Sequence, residues 1–126
     1  MQDLDVHKRS IEQAIAIRRI ARTSPKEELF VLSAQLSRAA ISVPCNLAEG
    51  AARDGDREFA HFLSIARGSC AEVLTLLEVC AGLDYIKPDL ELIDQARIVA
   101  KMLTSLSQRT RTRLAVGEES KRRGTR

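Results

Sequence analysis

Glu58-Phe59-Ala60-His61 sets a carboxylate and an imidazole three residues apart. In a helical bundle that spacing can supply two ligands of a di-iron centre. Such a centre also needs a second Glu-x-x-His and two further glutamates. The chain has two histidines, His7 and His61, and position 4 is Leu4 rather than Glu. No metal site is therefore expected. The three cysteines, Cys45, Cys70 and Cys80, form no Cys-x-x-Cys pair and have no metal-ligand spacing. All three fall inside helical patterns and read as small buried apolar residues. There is no Gly-x-Ser-x-Gly elbow, and Gly68-Ser69-Cys70 lies within a helical pattern. Gly68 reads as a close helix contact rather than a phosphate loop, because no strand precedes it and no Gly-Lys-Ser follows. Neither a catalytic residue nor a cofactor is expected.

Two other constellations remain. One is a polar row, Gln35, Arg38, Ser42, Asn46, Glu49 and Arg53, stepping by three or four residues along one side of a helix. It holds little Lys or Glu and is flanked by Ala34, Ala39, Ala48 and Ala52, which let a neighbouring backbone approach. The other is basic. Residues 105–126 hold seven Lys or Arg against two Glu, so the net charge of +3 comes from the C-terminal end. Arg53, Arg57, Arg109, Arg111, Arg113, Lys121, Arg122 and Arg123 are candidate phosphate contacts. A solubilising role for the tail is the competing reading.

The elements that position these residues are helical. Helix formers dominate, aromatics are few, and β-branched residues do not alternate. At 126 residues the chain is one domain. No apolar run reaches the ~20 residues of a membrane span. The polar N-terminus does not resemble a signal peptide, so a cytoplasmic location is expected.

Four helices can be read. The first runs from about Leu4 to Arg22, with Leu4, Ile11, Ile15, Ala14 and Ala21 as an irregular apolar set. The second starts at a capping box, Ser24-Pro25-Lys26-Glu27. Its stripe, Leu29, Leu32, Leu36, Ala40, Val43 and Leu47, keeps phase across Pro44. That predicts one helix to about Ala52, kinked at Pro44. The third has Asp56 as its expected N-cap, an apolar stripe of Phe59, Phe62, Ala66, Ser69, Val73, Leu76, Cys80 and Leu83, a second row of Leu63, Cys70 and Leu77, and an end at Gly82. The fourth starts near Pro88, carries Leu92, Ala96, Val99, Leu103 and Leu106, and should stop before Gly117. The reading is all-α: an up-and-down antiparallel four-helix bundle over 1–116, with a basic, mobile tail at 117–126. Packing the second and third helices antiparallel about Asp54 brings Arg38 within a turn of Glu72. That suggests an Arg38–Glu72 pair between helices or between subunits.

At "QLSRAAISVPCNLAEGAAR" (35–53), "EFAHFLSIARGSCAE" (58–72) and "LDYI" (83–86) the chain resembles a known family. It is that of the bacterial four-helix-bundle proteins encoded in intervening sequences of large-subunit ribosomal RNA genes. The family pattern has Gln, a basic residue, Ala-Ala, Ser-hydrophobic-Pro, Asn-hydrophobic-Ala-Glu-Gly and Arg, then Glu-Phe, Phe-Leu, Ile-Ala, Gly-Ser and Glu. The match covers 24–86 well. The family's tryptophan-containing start is missing, and the Arg-rich tail is outside its pattern. The resemblance implies a ring-like homopentamer without enzymatic activity, more distantly similar to accessory proteins of diversity-generating retroelements, which bind nucleic acid and a reverse transcriptase. The expected function is thus nucleic-acid binding, to structured RNA or duplex. The alternative is a protein–protein scaffold, for example for a reverse transcriptase.

Overall fold

The computed structural model describes residues 2–21, 27–85 and 90–124, with side chains for 4–20, 31–85 and 91–124. The helices are α1 (Gln2–Ala21), α2 (Glu27–Ala52), α3 (Asp56–Gly82) and α4 (Leu90–Gly124). Each helix packs on two neighbours, α1 on α2 and α4, α3 on α2 and α4, with no diagonal contact among the described residues. The arrangement is the up-and-down bundle expected from the pattern. The capping box and the Pro88 start lie outside the described residues.

The stripes of α2, α3 and α4 make the core. Ala40, Val43, Val73, Cys70, Leu77, Val99, Leu103 and Leu106 are all essentially inaccessible. Burying one such aliphatic side chain contributes about 1.5–3 kcal/mol. α2 runs helical through Pro44, so the shared phase on its two sides reflects one continuous helix. Two core clusters stack along the bundle axis. One centres on Ile17, Leu36, Val73, Leu77 and Ala96, the other on Val6, Val43, Leu63, Cys70 and Leu103.

α1 departs from expectation. Its buried face is Val6, Ser10, Gln13, Ala14 and Ile17, whereas Leu4, Ile11 and Ile15 are exposed, Leu4 by 63%. Leucine and isoleucine spacing picked out the outer stripe because the inner one contains Ser10 and Gln13. Both polar atoms of the Gln13 carboxamide lack a protein partner.

The glycines also exchange roles. A Cβ on Gly68 would meet nothing within 4 Å. The close approach is at Gly50, where a Cβ would lie 2.9 Å from Phe62 Cβ and 3.2 Å from Phe59 Cδ2. Gly55, not Asp56, is the N-cap of α3, with φ 86°; a non-glycine residue would be strained there. Asp56 is the first helical residue. α3 ends at Gly82 as read, but the left-handed residue is Asp84, at φ 59°. The Tyr85 N–H donates to Cys80 O and the Asp84 N–H to Ala81 O, which is a Schellman ending.

α4 does not stop before Gly117. It continues to Gly124, exposed over its last ten residues. One mid-helix glycine costs about 1 kcal/mol. Several weak terms offset it: the Glu119–Arg123 pair at 3.3 Å, Arg57 on Glu118 at 3.3 Å, and three basic residues in the last turn facing the helix C-terminal dipole.

Candidate functional site

The polar row of α2 divides in two. Its half-buried members form a seam with α3. The hydroxyls of Ser42 and Ser69 share a hydrogen bond of 2.8 Å, and Asn46 Nδ2 donates to Ser42 O at 2.8 Å and to Ser42 Oγ at 2.9 Å. The Asn46 carboxamide thus serves Ser42 rather than the carbonyl of Ala40 left without a donor by Pro44. Gln35 Nε2 donates to Glu72 Oε1 at 3.2 Å. Within one chain Glu72 is therefore met by Gln35, and Arg38 stays exposed. Pairing about the turn was right to within one helical turn, but the side chain that reaches across is the amide. The other members, Glu49 and Arg53, are exposed and pair with each other at 2.8 Å. That hydrogen bond raises the Arg53 pKa. The guanidinium also lies 5.4 Å above the Phe62 ring, a cation–π contact.

The arginines fall into three groups. At the turn end of the bundle, Arg57 pairs with Glu118 at 3.3 Å and Arg113 with Asp56 at 3.5 Å, tying α3 to α4. Arg123 pairs with Glu119, and Lys121 and Arg122 share the exposed last turn of α4. Arg109 donates to Ser105 Oγ at 3.4 Å and, with Asp5 and Lys101, lines a groove of about 300 Å³ between α1 and α4.

Arg111 belongs to a different setting. It donates to Ser107 Oγ at 3.4 Å, and Arg67 of α3 donates to the same oxygen at 3.4 Å. Arg67 and Ser107 were not among the expected contacts. Their signal was a silence: residues 59–71 of α3 and 95–117 of α4 contain no acidic residue, yet carry Arg67, Arg97, Lys101, Arg109, Arg111 and Arg113.

Glu58 and His61 are exposed, and the imidazole stands edge-on to Phe62. Among the described residues no three His, Cys, Asp or Glu side chains cluster as metal ligands. Cys70 and Cys80 are buried as expected, and burial pushes the Cys70 thiol up to about 11 and that of Cys80 upward too. Cys45 is exposed, contrary to expectation, because α2 turns it away from α3. Among the described residues no helix is long and apolar enough to cross a membrane.

The family model of the 23S rRNA-intervening sequence protein matches residues 2–105. The chain belongs to that family. The match takes in α1–α3 and α4 as far as residue 105, and stops before the Arg-rich end. No curated protein matches the chain. Among solved structures, it is similar to a protein of unknown function from the S23 ribosomal protein family of Bacteroides thetaiotaomicron. That likeness has a TM-score of 0.79 and 25% identity, and it covers 86% of this chain and 99% of the other. The bundle is therefore a fold shared with a solved protein as well as one read from periodicity.

Proposed function

We propose that the protein is a non-catalytic, ring-like homo-oligomer of the cytoplasm, the pentamer that the family resemblance implies, and that it binds nucleic acid through its basic face. The observation that carries this reading is a cluster of exposed apolar side chains on one side of the bundle, with an acid-free basic stretch on the other. On the α1/α2 side, Leu4, Ile11, Ile15 and Ile41 are exposed, and a groove of about 430 Å³ runs between Ile11, Ile15, Ile41 and Pro44, with Arg18 and Arg19 at its edge. Apolar side chains grouped in this way mark an association surface. On the opposite side, α3 and α4 present the acid-free basic stretch, with exposed apolar residues such as Ile65 and Ile98 among its cations. Closing a ring through one side would repeat the other in every subunit and multiply its field.

The test has two parts. Light scattering reads the oligomer, and Ile15→Arg should dissociate it while leaving the helical circular dichroism intact. Anisotropy of labelled structured RNA and duplex DNA across a salt series reads binding. Affinity should fall linearly on a log–log plot as salt rises. No binding at low salt, or a flat salt response, removes the nucleic-acid reading.

A second reading has an observation of its own. Arg53, Arg57, Arg113 and Arg123 are already paired with carboxylates, which favours a protein–protein scaffold whose cations serve the fold. These are exposed pairs worth about 0–1 kcal/mol, weak enough to be exchanged for phosphate. Replacing Lys121, Arg122 and Arg123 by Ala separates the two readings: a scaffold keeps its partner, and a phosphate binder loses affinity.

A further inference from the structure

We propose that the α3/α4 surface at the end of their outer groove is a phosphate-binding subsite in which Arg67 and Arg111 grip one phosphate group over the hydroxyl of Ser107. The groove encloses about 420 Å³ and is lined by Ser64, Arg67, Gly68, Ala100 and Thr104 among others, with Arg67 the one arginine in its wall; Ser107 and Arg111 follow Thr104 by one and two turns of α4, beyond the end of the groove. Arg67 is half-buried, so its position is set by packing and not by solvent. Each guanidinium nitrogen is 3.4 Å from Ser107 Oγ, so the two lie less than twice that distance apart.

Two like charges that converge on one neutral hydroxyl repel each other, and an anion between them removes the penalty. Each guanidinium has five N–H donors, and a single serine oxygen leaves most of them unused. No carboxylate pairs with Arg67 or Arg111 among the described residues, in contrast to Arg53, Arg57, Arg113 and Arg123. A phosphate offers several acceptor oxygens in the geometry that paired guanidinium forks match. Ser64 and Thr104 add hydroxyl donors at the rim. Gly68 leaves the floor open, since nothing lies within 4 Å of where its Cβ would be. The source of that phosphate, a nucleic-acid backbone, rests on the reading above; the chemistry of the subsite does not.

The experiment uses the full chain and two probes. Inorganic phosphate is followed by its phosphorus NMR linewidth at constant ionic strength, and a labelled short duplex RNA by anisotropy. Arg67→Ala and Arg111→Ala should each weaken phosphate binding about tenfold, the loss expected for one charge-assisted contact. Arg111 is exposed, so its variant stays folded even if Arg67→Ala does not. Lys8→Ala, on the exposed face of α1, is the control and should bind phosphate as the parent does. For the RNA, removing one backbone contact should lower the salt slope by about one. Equal phosphate binding by the parent, Arg67→Ala and Arg111→Ala overturns the subsite. RNA affinity that survives both variants but is lost when the tail cations are replaced also overturns it as a backbone contact, while nucleic-acid binding stands. Phosphate binding that depends on Arg67, with no RNA bound by any form, overturns the backbone as the source and leaves a free-phosphate site.

Discussion

Adding a single methyl group at Gly50 and, separately, at Gly68 should have different effects on stability. Both glycines are inside helices, so Gly→Ala gains about 1 kcal/mol of helix propensity at each. Their surroundings differ. At Gly68 the new Cβ meets nothing within 4 Å, so the propensity gain survives. At Gly50 it would sit 2.9 Å from Phe62 Cβ, against the ~3.5–4.0 Å of ordinary carbon contact. The Phe59 ring, 3.2 Å away, can turn aside. Phe62 Cβ has no such freedom, being one bond from the backbone. α2 must then retreat from α3 by roughly half an ångström or more, at the cost of about 1–3 kcal/mol that overpacking carries. Gly68→Ala should therefore be stabilised by about 1 kcal/mol, and Gly50→Ala should be about 1–3 kcal/mol less stable than Gly68→Ala. Propensity cancels in that difference, which isolates the packing term. Urea unfolding followed by circular dichroism measures it, with the two m-values required to agree. Equal midpoints for the two variants would refute the close approach of α2 and α3 at Gly50.

Four further outcomes follow from the same structure. Gln13→Met removes a buried carboxamide with no protein partner for either polar atom. It should raise stability by about 1–3 kcal/mol in urea unfolding, the cost of burying an unsatisfied amide. Asp84→Gly relieves the one left-handed non-glycine residue among those described and should raise the unfolding free energy by about 0.5–1 kcal/mol. A fast-reacting thiol reagent, read by mass spectrometry, should label Cys45 in the folded protein and all three cysteines in denaturant. The Cys70 thiol is held near 11, above the ordinary value of 9.0, by burial. Between those pH values the unfolded chain has lost a proton that the folded chain keeps, so stability falls as pH rises, by about 1.4 kcal/mol per unit for this group. Cys70→Ala should flatten that fall relative to the parent, as urea midpoints on either side of pH 9 would report.

The α2/α3 hairpin was legible because each stripe faces one place, the bundle core. Steps of three and four put Val43, Leu47, Leu63, Ala66 and Val73 on mutually facing sides, and all five are buried. Register about the turn then predicted which levels meet to within one helical turn: it sets Ser42 level with Ala66, and the hydroxyl it meets is Ser69, three residues on. What spacing could not supply was reach. At the level of Glu72, both Gln35 and Arg38 are within a turn. The choice between them depends on which α2 side chain points at α3, and that is a matter of helix rotation of a few tens of degrees. The end of α4 was misread for a related reason. Gly117 is a stop signal by propensity alone, but Glu118 and Glu119 find Arg57 and Arg123 only when the helix continues. Likewise, the phosphate subsite was invisible as a motif because Arg67 and Arg111 are far apart in sequence and meet through Ser107.

α1 shows most clearly where periodicity stops short. Its inner face, Val6, Ser10, Gln13, Ala14 and Ile17, satisfies the bundle. Its outer face, Leu4, Ile11 and Ile15, satisfies nothing within the chain. Two apolar stripes on one helix superpose into a pattern with no clear phase, which is why α1 looked irregular. The apolar spacing of a helix is set by burial in the working assembly, not in the isolated subunit. A helix that packs on its own bundle and on a second surface must therefore read worse than one that packs on the bundle alone. By that logic the weak periodicity of α1 and the exposed isoleucines are one observation seen twice. The polar residues Ser10 and Gln13 are tolerated inside because the bundle core is carried by α2, α3 and α4. Leu4, Ile11 and Ile15 are then left for the surface where, on the proposed reading, subunits meet.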